Sequence, residues 1–138
     1  MRHEVVAALI IRADRILLGQ RSPTRSAYPN VWDVFGGHVE SGERHSHTIV
    51  RELQEELGIT PRQWTYIETL TIATPEDKAG LPDQLALHLY LVTAWSGTPT
   101  NRQLHEHTTI QWFSLAQAVQ LDLAHSSYPQ LFARFLTP

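Results

Sequence analysis

Gly36-Gly37-His38-Val39-Glu40-Ser41-Gly42-Glu43, followed by Arg51-Glu52-Leu53-Gln54-Glu55-Glu56-Leu57-Gly58-Ile59, is the stretch on which the reading of this chain turns. Its second half predicts a helix from about Arg44 to Leu57, because Ile49, Val50, Leu53 and Leu57 recur at helical spacing and form one apolar stripe. Gly58 suits the position just past the helix end, and Pro61 prevents resumption. On that helix Glu52, Glu55 and Glu56 stand at i, i+3 and i+4 and share a face. No Lys or Arg lies between them, so their carboxylates repel one another. A hard divalent cation, which prefers oxygen ligands, relieves that repulsion. A solvated acidic face is the plainer reading of those three residues alone. The upstream residues tip the balance: Gly36 and Gly37 allow close backbone approach to a ligand, the loop returns Glu43 to the helix, and Arg51 can hold a glutamate oriented and ionised.

The flanking segments supply the scaffold. His3 to Arg12 is apolar and β-branched and reads as a buried strand. Ala13-Asp14 makes a turn into a second strand, Arg15 to Gln20. A loop from Arg21 to Asn30 leads to a short strand, Val31 to Phe35, that ends at the double glycine. Long strands are expected over Trp64 to Ala73 and Gln84 to Trp95, with an exposed loop, Thr74 to Asp83, between them. Thr108 to Phe113 reads as a further strand. Ser114 is placed to cap a helix through about Gln120, and Tyr128 to Leu136 reads as a terminal helix in which Tyr128, Phe132 and Phe135 dock onto the core. Mixed strands with a central and a terminal helix predict a sheet covered by helices on both faces, an α/β (α+β mixed-sheet) fold. Nothing in the sequence divides the 138 residues, so one domain is expected over 1–138.

Composition narrows the function classes. The formal net charge of −3 and pI near 6.2 argue against duplex nucleic acid as a partner. With no cysteine, disulfides, thiolate catalysis and cysteine zinc sites are excluded. The apolar run Val5 to Ile11 is too short to span a membrane, and the chain is read as cytoplasmic with no membrane partner. Lys78 is the only lysine, so arginines carry nearly all the positive charge. Arg21 and Arg25, in the loop before Trp32, are the candidates for binding phosphates. Trp32, Tyr28 and Phe35 are candidates for stacking on a base.

The spacing of Gly37, Glu43, Arg51-Glu52-Leu53, Glu55-Glu56 and Gly58-Ile59 matches the Nudix box over residues 37–59 at every specified position. Such a match arises by chance on the order of once in 10⁹ windows at average residue usage. The chain therefore resembles the Nudix hydrolase family, and its shortness is similar to the compact MutT-like members. The resemblance implies an α/β/α sandwich and hydrolysis of a phosphoanhydride in a nucleotide, with Mg²⁺ or Mn²⁺ as cofactor. Glu52, Glu55 and Glu56 are the implied metal ligands, joined by the carbonyl of Gly36. Glu43 and Arg51 are implied supports. The general base is implied to be Glu52 or a carboxylate from outside the box, for which Glu106, just before the strand ending in Trp112-Phe113, is the candidate.

Two departures from the family pattern matter. Phe35 precedes the double glycine where relatives carry proline, and the form Trp32-x-x-Phe35-Gly36-Gly37 is similar to enzymes that clear oxidised purine nucleotides. In those the position of Asp33 helps read the base. Arg44 stands where relatives place a capping serine or threonine, so the helix start is expected to shift towards Ser46. His38 and Gly37 are placed beside the phosphates, His107 to orient Glu106, and His45 and His47 are expected to be exposed. The expected substrate is an unmodified or oxidised (deoxy)nucleoside triphosphate, cleaved to a monophosphate and pyrophosphate. ADP-ribose or another nucleoside diphosphate linked to a second group is the alternative, and a non-catalytic nucleotide sensor is a third reading. Isoprenoid diphosphate isomerisation lacks its expected cysteine. The resemblance also raises a homodimer, although no segment marks an interface.

Overall fold

The computed structural model describes residues 2–25, 28–74 and 83–138. Strand β1 (Arg2–Arg12) runs through the middle of a seven-stranded mixed sheet. Beyond the turn, β2 (Arg15–Arg21) pairs antiparallel with the end of β1. Ala13 and Asp14 both take positive φ, 51° and 58°, as a two-residue hairpin of the primed type requires. Strand β7 (Asp83–Val92) lies parallel to β1 and continues antiparallel to β6 (Thr65–Thr74), while β9 (His107–Phe113) pairs with β2.

The continuous apolar run of β1 is explained by burial on both of its sides. Ala7, Leu9 and Ile11 enter one core with Ile16 and Leu18 of β2, and Val6, Ala8 and Ile10 enter the other. Helix α1 (His45–Leu57) covers the second core with Ile49, Leu53 and Leu57. The first core is closed by Leu115 and Ala118 of α2 (Leu115–Ala118), by Tyr128, Leu131 and Phe132 of α3 (Tyr128–Ala133), and by Leu136 beyond it. The expected sandwich of helices about a mixed sheet is the observed architecture.

Several boundaries differ from the sequence reading. The strand expected over Val31 to Phe35 is two strands: β3 (Trp32–Asp33) pairs with β2, and β4 (Phe35–His38) pairs with β1 and contains the double glycine. Gly36 belongs there because a Cβ would lie 1.9 Å from the Val6 carbonyl oxygen of the neighbouring strand. The strand expected over Gln84 to Trp95 stops at Val92, and Trp95 instead opens β8 (Trp95–Ser96), which pairs with β5 (Thr60–Pro61). The terminal helix ends at Ala133, short of Leu136. Ser114 does cap α2, sharing reciprocal hydrogen bonds with Gln117, but that helix ends at Ala118. Helix α1 begins at His45, inside the expected range from Arg44 to Ser46; Arg44 itself takes the extended cap conformation and its carbonyl accepts from the Thr48 N–H. Of the exposed loop expected from Thr74 to Asp83, residues 75–82 lie outside the described residues.

Candidate active site

A cleft of about 590 Å³ opens where β1, β4, α1 and the segment leading into β9 meet. Its apolar floor is Val5 and Ala7 of β1 with Leu85 and Leu87 of β7, alternate residues of two paired strands. Arg51, Glu52 and Glu56 of α1 form one wall with Gly36, Gly37 and His38 of β4. Arg21, Arg25, Glu106 and His107 also line it, as do Asp33, Tyr28, His125 and Tyr128. A volume of this size is ordinary for a small-molecule site.

Arg51 organises the acidic wall. Its Nε and Nη2 donate to the two oxygens of Glu43, each at 2.8 Å, and its Nη1 donates to Glu52 Oε1 at 2.8 Å. Glu55 Oε2 is 3.6 Å from the same Nη1, so Glu52 and Glu55 converge on one guanidinium nitrogen. The bidentate contact holds the Glu43 carboxyl well below the usual carboxylate range, and Thr48 Oγ1 adds a hydrogen bond of 2.7 Å. Glu43 thus stands behind Arg51, outside the lining of the cleft. Glu55 is half-exposed and also outside the lining of this cleft; with Arg51, Gln54, Arg102 and Gln103 it lines a second, open depression. A Cβ at Gly37 would lie 2.3 Å from the Glu52 carboxyl carbon, so any side chain there would displace that carboxylate.

Glu56 is the most constrained acid. It is only 5% exposed, and its Oε2 is buried with no hydrogen-bond partner. Burial pushes its carboxyl pKa well above 4.5, the charges of Glu52 and Glu106 push the same way, and the Gly36 N–H opposes them. Burial also raises Glu52, against the pull of Arg51. A ring nitrogen of His107 and carboxylate oxygens of Glu56 and Glu106 lie within 4.8 Å of one another. An orphaned buried oxygen amid converging acids is the environment a divalent cation satisfies, and oxygen-rich donors fit one.

The residues around Asp33 form a second constellation. Asp33 Oδ1 accepts from the Tyr128 hydroxyl and from the Val34 N–H, both at 2.8 Å, while Oδ2 lies 3.6 Å from Arg21 Nη1. Burial raises the Asp33 pKa and Tyr128 opposes it. The His125 ring meets Tyr28 edge-on at 5.3 Å and Tyr128 at 5.1 Å. Tyr28 holds a positive φ of 50°, unusual for a bulky residue, and its carbonyl accepts from Arg21 Nε. Arg25 faces Glu106 at 4.0 Å.

Several expected contacts fall elsewhere. Phe35 is fully buried (0% exposed) against His107, so its ring is part of the core and offers no face to a base. Trp32 packs edge-on against Phe113 at 5.0 Å and does not line the cleft; of the three stacking candidates only Tyr28 reaches it. His45 is half-buried rather than exposed, with Nδ1 3.0 Å from the Tyr90 hydroxyl and its ring against His88, whereas His47 is exposed. Tyr128 docks the terminal helix as expected and also turns its hydroxyl to Asp33, a dual use that sequence spacing does not reveal. His125, in irregular chain before α3, gave no sequence signal.

Comparison with known proteins accords with this geometry. The sequence model of the NUDIX domain matches residues 1–135. A CTP pyrophosphohydrolase of Escherichia coli is 37% identical over 130 residues, covering 94% of this chain and 89% of that protein. An 8-oxo-dGTP diphosphatase of Escherichia coli is 36% identical over 86 residues, covering 62% and 60%. The crystal structure of a MutT NUDIX hydrolase from Burkholderia pseudomallei superposes with a TM-score of 0.77 at 26% identity, covering 99% of both chains.

Proposed function

Because this chain belongs to the NUDIX domain family, whose members hydrolyse phosphorus-containing anhydrides, we propose that it is a divalent-cation-dependent pyrophosphohydrolase of a nucleoside triphosphate. The observation that carries this reading is the buried, unpartnered Oε2 of Glu56 on an acidic wall that lines one cleft together with Arg21 and Arg25.

Glu55 and Glu56, with the Gly36 carbonyl, would hold Mg²⁺ or Mn²⁺ beside Glu52, and the ion would neutralise phosphate charge and make the attacking water more acidic. Arg21 and Arg25 bind the phosphate chain, drawing Arg25 from Glu106. Glu52 is the base. Its Oε1 is held by Arg51, which leaves Oε2 for a proton, and its raised pKa brings it nearer neutrality. The water oxygen forms a new bond to phosphorus, its proton passes to Glu52, and the anhydride bond breaks with pyrophosphate leaving. Gly37 and Arg51 position Glu52, and Glu43 positions Arg51.

The nucleobase lies against Tyr28 and Asp33. With Oδ1 taken by Tyr128 and Val34, Asp33 Oδ2 is the atom that accepts from a base amino group. The CTP and 8-oxo-dGTP activities of the two relatives make these nucleotides the first to try. A panel of CTP, dCTP, ATP, dGTP, 8-oxo-dGTP and ADP-ribose, with products resolved by mass, tests the reading. Monophosphate and pyrophosphate in equal amounts from a triphosphate are expected. AMP with ribose phosphate from ADP-ribose alone would move the activity to diphosphate-linked substrates, and an inert protein would remove it.

A further inference from the structure

We propose that His107 is itself a metal ligand, and that its nitrogen shifts this site from Mg²⁺ towards a first-row transition ion such as Mn²⁺. The inference rests on the cation-binding reading of the acidic wall and adds a donor outside the glutamate motif.

His107 is 3% exposed and its Nδ1 is buried without a hydrogen-bond partner. A buried polar atom left unpaired costs about 1–3 kcal/mol unless something occupies it. Glu56 Oε2 is orphaned in the same way, and both residues belong to the group whose ligand atoms lie within 4.8 Å of one another. Two unpartnered buried atoms of complementary ligand type, on residues whose ligand atoms converge with that of Glu106, point to one shared ligand. Donors around an ion at about 2.1 Å stand roughly 3–4 Å apart, so a small contraction closes the group.

The imidazole is held in place by packing, and its Nδ1 has no hydrogen-bond partner among the described residues. Its Cδ2 edge faces Gly19, where a Cβ would lie 2.7 Å away, and its face meets the Phe35 ring at 5.2 Å between centroids. Nδ1 lies on the other side of Cγ from Cδ2. The backbone is fixed as well: the His107 N–H donates to Gln103, its carbonyl accepts from Asn101 Nδ2, and the Glu106 carbonyl accepts from the Ser22 N–H. Phe35, which has no access to the cleft, thereby acquires a role in setting the ring. Chemistry then decides the class of ion. Carboxylates alone suit Mg²⁺, whereas an imidazole nitrogen favours transition ions, and Mn²⁺ accepts both donor types.

Pulsed electron paramagnetic resonance on the full chain loaded with Mn²⁺ reads nitrogen ligation directly, without turnover. The expected result is an imidazole ¹⁴N coupling in the wild type that disappears in His107→Gln. By calorimetry His107→Gln should bind Mn²⁺ about tenfold more weakly, while Mg²⁺ affinity changes less than twofold. A variant with His3→Gln, His38→Gln and His125→Gln removes the other cleft histidines and leaves His107 in place. It must keep the coupling, which makes the test independent of whether His107→Gln folds. Mn²⁺ that binds and is weakened by Glu56→Gln, yet shows no ¹⁴N coupling, overturns the ligand assignment and leaves the acidic site standing. Coupling lost in the triple variant gives the nitrogen to another histidine and overturns it equally. Absence of any Mn²⁺ binding overturns this inference and the cation-binding reading together.

Discussion

Glu56 and Tyr128 show how far single residues could be read in the sequence. Spacing alone placed Glu56 with Glu52 and Glu55 on one helical face. It could not tell that Glu56 is buried in the cleft while Glu55 stands half-exposed outside its lining, because that depends on how the rest of the chain packs over the helix. The difference has a measurable result. The raised pKa of Glu56 means that, between 4.5 and its folded value, the folded chain keeps a proton the unfolded chain has released. Its contribution to metal-free stability is therefore unfavourable at neutral pH and is relieved as pH falls. Glu56→Gln in EDTA should be more stable than the wild type at pH 8, by about 1–3 kcal/mol, with the gap closing near pH 4.5. His107, pushed down to about 4, destabilises both proteins on the acid side, so the difference between their denaturation curves is the quantity to follow. A gap that widens on acidification would contradict the burial argument. Tyr128 was legible only as a docking aromatic, since a hydroxyl among apolar residues does not announce its partner. Tyr128→Phe leaves a buried Asp33 oxygen with one donor fewer and should raise KM for the preferred nucleotide about tenfold with kcat little changed. An unaltered KM would detach Asp33 from base recognition.

Elements were legible where one period dominates. The apolar run of β1 and the stripe of α1 declared themselves, and the two cores they feed follow from alternation along β1. Short elements were not legible. Trp32–Asp33 and Phe35–His38 read as one strand because pairing with different neighbours is a tertiary matter, and α3 lost its last turn although its aromatic spacing continues. Leu53 is buried (1% exposed) in the core beneath α1, so Leu53→Ala should cost about 2–5 kcal/mol of stability. Because that helix carries Arg51, Glu52, Glu55 and Glu56, turnover should fall with it well below the melting temperature. Full activity in a strongly destabilised variant would mean that the glutamates do not depend on the seating of the helix.

The whole molecule is a sandwich in which two cores hold β1 and α1 against each other so that several acids converge at one end of a cleft. Bringing like charges together lowers the stability of the metal-free protein, and a cation returns it. Saturating Mn²⁺ at about a hundred times its dissociation constant should add about 2.7 kcal/mol, roughly 5–10 °C in melting temperature for a chain of this size, with little gain in Glu56→Gln. The family was legible because the Nudix box is a dense, ordered motif. The nucleotide was not, because Tyr28 and Asp33 come from one stretch of the chain and His125 and Tyr128 from another far along it, and only folding assembles them. The most direct measurement compares wild-type protein and Glu56→Gln for pyrophosphate release from CTP and 8-oxo-dGTP, with added Mn²⁺ or EDTA. Release by the wild type that stops in EDTA and falls at least about a thousandfold in the folded variant is the result the acidic wall predicts; equal turnover by both proteins, or turnover indifferent to EDTA, would contradict it.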